Sequence, residues 1–210
     1  MFIIPPPFFS YQDMKLGILD CGIGNSASLS HVLTEAGFEH EIISDPNKFR
    51  QTRTLIIPGV GSFDQCIKNV RSLSFFEELN KKVFNEELNV LGICCGAQVM
   101  GVSSEEGTSK GFGWLPFQCK HFATESLRSP HCGWNTVESQ LFPNQEYYYF
   151  THSFYFSAFS DDVETGITSY GHLTFPSLIL RKNLCAIQFH PEKSHKQGVR
   201  LIQDILERWH

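Results

Sequence analysis

The chain has 210 residues, enough for one domain, and its 41% hydrophobic and 19% charged content supplies a packed core and excludes general disorder. A formal net charge of −5, with no run of basic residues, argues against nucleic acid as a partner. No apolar stretch reaches the roughly 20 residues needed to span a bilayer, so no membrane association is expected.

Residues 1–13 (MFIIPPPFFSYQD) are apolar, carry three consecutive prolines and lack the basic region of a signal peptide. They read as an N-terminal extension outside the core, with the domain at 14–210. From there short apolar runs alternate with helix-like stretches, the signature of βαβ units. Leu16–Leu19 is the first strand. A helix is predicted over 26–36, with Leu29, Val32 and Leu33 on one face and Gly37 at its C-terminal end. Strands follow at His40–Ile43 and Thr54–Ile57, then a helix over 72–84 with Leu73, Phe76, Leu79 and Val83 at helical spacing. Asn89–Ile93 is the central strand. Beyond Gly101 Phe, Tyr and Thr become frequent, and strands over 146–150 and 179–189 suggest antiparallel additions to the sheet. A last helix over 197–209 buries Ile202, Ile205, Leu206 and Trp209. The fold class expected is α/β, with a mixed, mostly parallel central sheet flanked by helices.

Seven cysteines without a CxxC pair fit reduced thiols in a cytoplasmic protein better than a disulfide framework. The adjacent Cys94 and Cys95 point to opposite sides of any regular backbone and make a poor metal pair, so neither a metal nor an organic cofactor is expected.

The most informative stretch is LGICCGAQ, 91–98. An apolar strand delivers Cys94 into a glycine-flanked turn, and a helix-compatible segment follows, the layout of a nucleophile elbow. The positive helix start favours a thiolate. In the tail, QFHPE (188–192) sets His190 two residues from Glu192, a base beside its orienting carboxylate. Cysteine, imidazole and acid together make an activated nucleophile. Cys95 is assigned only its main-chain N–H, as an oxyanion donor. PGVGS (58–62) also follows an apolar strand, and its glycines permit an anion-binding nest with Val60 and Gly61 as a second oxyanion element. Gly22-Ile23-Gly24-Asn25 lacks the full dinucleotide fingerprint, so no NAD site is inferred.

GICCGAQ, PGVGSFD, the GWN within His131-Cys132-Gly133-Trp134-Asn135, FTHSF (150–154) and QFHPEKS, taken in this order, resemble the class I glutamine amidotransferases. Within them the likeness is strongest to glutaminase subunits of imidazole glycerol phosphate synthases, from about Lys15 onward. The resemblance implies a flavodoxin-like glutamine amidotransferase architecture and hydrolysis of L-glutamine through a cysteine thioester. Ammonia would pass to a separate cyclase-type synthase subunit in a heterodimer serving histidine biosynthesis. It makes Cys94 the nucleophile, His190 the base and Glu192 its orienting acid. Gln98, Glu106, His152, Ser153 and Phe154 become substrate-binding residues, and Trp134 and Asn135 face the partner. Phe154 stands where the family has tyrosine, Cys21 where it has tyrosine, and Cys95 where it has an aliphatic residue. SSEEG, GFGWLP and SHKQG resemble instead a paralogous branch supplying ammonia for amidino-sugar synthesis in surface polysaccharides. A catalytically impaired partner-binding subunit is the alternative of another class.

Overall fold

The computed structural model describes residues 15–22, 24–140, 146–157 and 163–209. The expected extension at 1–13 lies outside them. Local signals start each early element. Asn25 accepts a hydrogen bond from Ser28 N at the head of α1 (Ser26–Glu35), and Asp45 accepts from Asn47 and Lys48 at the head of α2 (Pro46–Gln51). Pro46, with no N–H to lose, suits the first turn. β1 (Leu16–Leu19), β3 (Thr54–Ile57) and four of the five residues of β4 (Asn89–Ile93) are buried, as strands covered on both faces must be. β2 (His40–Ile43) lies at the edge and is half solvated.

Among the described residues one sheet has nine strands, in the order β2-β1-β3-β4-β12-β11-β10-β7-β8. The later strands are β7 (His131–Ser139), β8 (Glu146–His152), β10 (Glu164–Tyr170), β11 (Leu173–Arg181) and β12 (Leu184–Ile187). Pairing is parallel from β2 through β12 and antiparallel from there to β8. A second sheet joins β5 (Ser103–Ser104), β6 (Gln118–His121) and β9 (Phe154–Ser157). Helices α3 (Phe63–Arg71), α4 (Phe76–Phe84), α5 (Cys95–Gln98) and α6 (His195–Arg208) complete the layers.

Alternation along the strands splits the core by face. Leu55, Ile57, Val90 and Cys95 join one apolar cluster, and Ile56, Leu91, Ile93 and Cys94 the other. The two adjacent cysteines therefore do serve opposite sides.

Several expectations need correction. The helix expected over 72–84 begins only at Phe76, as α4, and a separate helix, α3, precedes it over 63–71 and is closed by the Ser72 N–H on Lys68 and Asn69. The strand over 179–189 is a hairpin, because Lys182 turns left-handed at φ 53° and sends β12 back antiparallel to β11. Helix α2 was also missed, its six residues being too few for a periodic signal. The last helix starts at His195, and Trp209 is only half-buried after its end.

Candidate active site

The C-terminal ends of the parallel strands carry the site, as open α/β sheets place their crevices. Cys94 links β4 to α5 with φ 52° and ψ −115°, a conformation L-residues avoid, and it is 9% exposed. Ala97 N and Gln98 N both donate to its carbonyl at 3.0 Å, and its own N–H donates to Ile187 O at 2.7 Å. The turn is this tight because its neighbours lack side chains. A Cβ on Gly96 would lie 2.0 Å from Ile57 O, and one on Gly59 would lie 2.0 Å from Gly96 N. The 58–61 loop thus lies against the elbow, with Gly61 at φ 112° and Val60 exposed.

β12 runs parallel to β4, with Ile187 opposite Ile93, so the chain beyond β12 emerges beside Cys94. His190 and Glu192 follow there. His190 Nδ1 and Glu192 Oε1 are 2.7 Å apart, with both side chains buried. Burial alone would push the ring toward neutrality. Hydrogen bonds from its two sides, to Cys94 and to Glu192, and the attraction of their negative charges outweigh this and lift it to about 9. The ring backbone is fixed as well: His190 N donates to Tyr149 O at 2.9 Å, and Ser194 Oγ donates to His190 O at 2.6 Å. An imidazolium held between a sulfur and a carboxylate is suited to pass a proton to a leaving group while the sulfur attacks.

Gln98 is buried on α5, where its Nε2 donates to Gln188 Oε1 at 3.2 Å and faces Phe154 O at 3.4 Å. The neighbouring Gln188 Nε2 lies 3.9 Å from Cys94 Sγ. The segment 152–154 joins β8 to β9 with a single residue, Ser153, between them. Among the described residues no group of three or more His, Cys, Asp or Glu side chains is arranged for a metal ion.

Residues 17–209 match the family described as Glutamine amidotransferase class-I. This chain belongs to the class I glutamine amidotransferase family. It is 35% identical over 201 residues to imidazole glycerol phosphate synthase subunit HisH 2 of Methanococcus maripaludis, covering 92% of this chain and 99% of that protein. It is 36% identical to the HisH subunit of Leptospira borgpetersenii, covering 90% and 98%. A crystal structure of a glutamine amidotransferase superposes with a TM-score of 0.74 at 21% identity, over 91% of this chain and 97% of the other.

As an amidotransferase, the chain brings Cys94, His190, Glu192, Gln98 and the Phe154 carbonyl into one neighbourhood. Glu106 Oε2 accepts from Phe63 N at 2.9 Å and caps α3, whose own Ser62 makes no side-chain cap. Asp64 answers by accepting from Thr108 N and Ser109 N at 3.1 and 3.0 Å, bonds that hold its carboxyl below the usual carboxylate range. The two carboxylates clasp the loop after β3 to the SSEEG loop.

Trp134 is exposed and stacks on His195 at 5.4 Å, while Asn135 is half-buried on the same strand, β7. Gln188 was overlooked as a site residue. Its signal was an amide at the end of the apolar run 184–187, two residues before His190, and the fold buries it fully. Asp64 had no signal, because only the folded loops show its partners.

Proposed function

We propose that this chain is the glutaminase subunit of an imidazole glycerol phosphate synthase, releasing ammonia from L-glutamine for a separate cyclase-type subunit in histidine biosynthesis. The observation that carries the chemistry is the 2.7 Å contact between His190 Nδ1 and Glu192 Oε1, which leaves the ring's other nitrogen for Cys94. The Cys94 sulfur attacks the carboxamide carbon, and His190 protonates the departing nitrogen as the C–N bond breaks. A γ-glutamyl thioester and ammonia result. His190, now neutral, takes a proton from water, whose oxygen displaces the sulfur and yields glutamate. The main-chain N–H of Cys95 and the Val60–Gly61 segment are the proposed donors to the oxyanion formed in each step.

Gln98, Glu106 and the 152–154 turn are proposed to hold glutamine, and Trp134 with Asn135 to face the synthase subunit. The full-length likeness to HisH subunits supports the histidine pathway over the amidino-sugar branch. The test is ammonia release from glutamine by the chain mixed with a cyclase-type synthase subunit. Activity that depends on Cys94 and rises with the partner is expected. A Cys94→Ala protein retaining the wild-type rate sinks the assignment.

A further inference from the structure

Two buried histidines that the proposed reaction does not use as acids or bases form a hydrogen-bonded pair behind the site. His152 Nδ1 lies 2.7 Å from Phe154 O, and His152 Nε2 lies 3.1 Å from His131 Nδ1. His131 Nε2 lies 3.1 Å from Asn135 Nδ2. The directions of all three bonds follow from one fact: a carbonyl only accepts. His152 must therefore carry its proton on Nδ1 to bond Phe154 O. Both rings are neutral, because burial drives His131 to about 4 and His152 to about 3, the latter only partly offset by the Phe154 bond. A neutral His152 then presents a lone pair at Nε2, which His131 Nδ1–H fills. His131 Nε2 in turn accepts from Asn135.

The far end is anchored in the same sense. Asn135 Nδ2 also donates to Ser169 O at 2.9 Å, while its Oδ1 accepts from Thr136 N at 2.8 Å, so its amide orientation is fixed. His131 cannot swing away, since it is sandwiched between Phe150 and Tyr170 at centroid distances of 4.7 and 4.2 Å. At the near end, the His152–Phe154 bond closes the turn around Ser153, and the same Phe154 carbonyl faces Gln98. If His152 held its proton on Nε2, two lone pairs would meet 2.7 Å apart and the turn would open.

We propose that His131 is a positioning residue, whose Nδ1–H sets the tautomer of His152 and so the shape of the 152–154 turn that receives glutamine. This rests on the reading of that turn as a glutamine-holding segment. The turn would touch the non-reacting α-amino and carboxylate groups, so its loss weakens binding of ground state and transition state alike. The effect falls on KM rather than kcat.

Two measurements test this. Nitrogen-15 NMR of the imidazoles in the full chain at neutral pH is expected to show both rings as neutral Nδ1–H tautomers. Either ring in the Nε2–H form overturns the proposal. In glutaminase assays with the synthase partner, His131→Phe keeps the stacking but removes both polar ends. It should raise KM for glutamine about tenfold and leave kcat within about twofold. His131→Gln retains a donor and an acceptor and should restore KM. A Phe variant with wild-type KM, or a Gln variant equally impaired, overturns the role. Should the Phe variant not fold, the NMR result on the wild type still decides. Absence of Cys94-dependent ammonia in the wild type instead removes the glutaminase reading, and the tautomers remain a separate answer.

Discussion

The N–H of Cys94 donates to the carbonyl of Ile187 at 2.7 Å, so the strand that presents the sulfur and the strand that leads to His190 are joined at the last rung of their ladder. Any shift of β12 against β4 would therefore change the sulfur–imidazole geometry as well. The bond also helps hold Cys94 at its unfavourable φ of 52°.

That backbone strain can be measured. Glycine adopts such a φ without cost, whereas alanine carries the same Cβ as cysteine. Cys94→Gly should therefore be more stable than Cys94→Ala by about 1–2 kcal/mol in denaturant unfolding, although both lack the nucleophile. Equal stabilities would show that the elbow is relaxed.

The raised His190 value sets a pH window. The folded ring holds its proton to about 9, while the unfolded ring releases it near 6.5. Unfolding between these values therefore releases a proton, and this stabilisation, complete below 6.5, shrinks as pH rises and is gone above about 9. Its size is at most about 3 kcal/mol. Glu192→Gln removes one of the two charges that lift the ring, so its stability loss relative to wild type should be largest near pH 6, shrink as pH rises and vanish toward pH 9–10. Thermal unfolding across pH 6–10 checks this, and a difference independent of pH contradicts it.

Gln188 offers a third check. Its amide accepts from Gln98 and faces the Cys94 sulfur, with no exposure to solvent. Gln188→Leu keeps the volume but leaves Gln98 with the Phe154 carbonyl alone. A stability loss of about 1–3 kcal/mol is expected, with a fall in glutaminase kcat/KM of about tenfold or more. Gln188→Glu, by placing a carboxylate beside the sulfur, should lower activity further. Denaturant melts and steady-state kinetics on both variants distinguish the two effects.

The clasp between Asp64 and the 108–109 backbone predicts an effect on binding without a comparable effect on folding. Asp64 is only half-buried and its two bonds join loops rather than core elements, so Asp64→Ala should change Tm little. It frees the loop that carries Glu106, and KM for glutamine should rise about threefold or more. Gly107→Ala tests the same contact from the other side, because its Cβ would lie 2.1 Å from Asp64 Oδ1. Wild-type KM in both variants would show that the clasp is not part of substrate binding.

Much of the parallel half was legible because its strands are short, mostly apolar runs ended by turn residues and its elbow has a recognisable local shape. β1, β2, β3 and β4 have the expected bounds. The errors have a common cause. A late helix start and a hairpin differ from the expected elements by a few residues, such as the turn at Ser72 and the left-handed Lys182, which the apolar spacing does not mark. In the site, residues with a local motif could be named in advance. His131 and Asp64 could not, since their partners His152 and Thr108 lie 21 and 44 positions away, whereas Gln188 left a trace as an amide ending an apolar run.

The placement of β12 has a consequence for when this chemistry can begin. It occupies the middle of the large sheet, between β4 and β11, yet it is the last strand to be synthesised. A nascent chain therefore presents its thiol long before it owns an imidazole to pair with. The sulfur and the imidazole can meet only once β12 has entered the sheet, so the pair is assembled by the last strand and by α6 behind it.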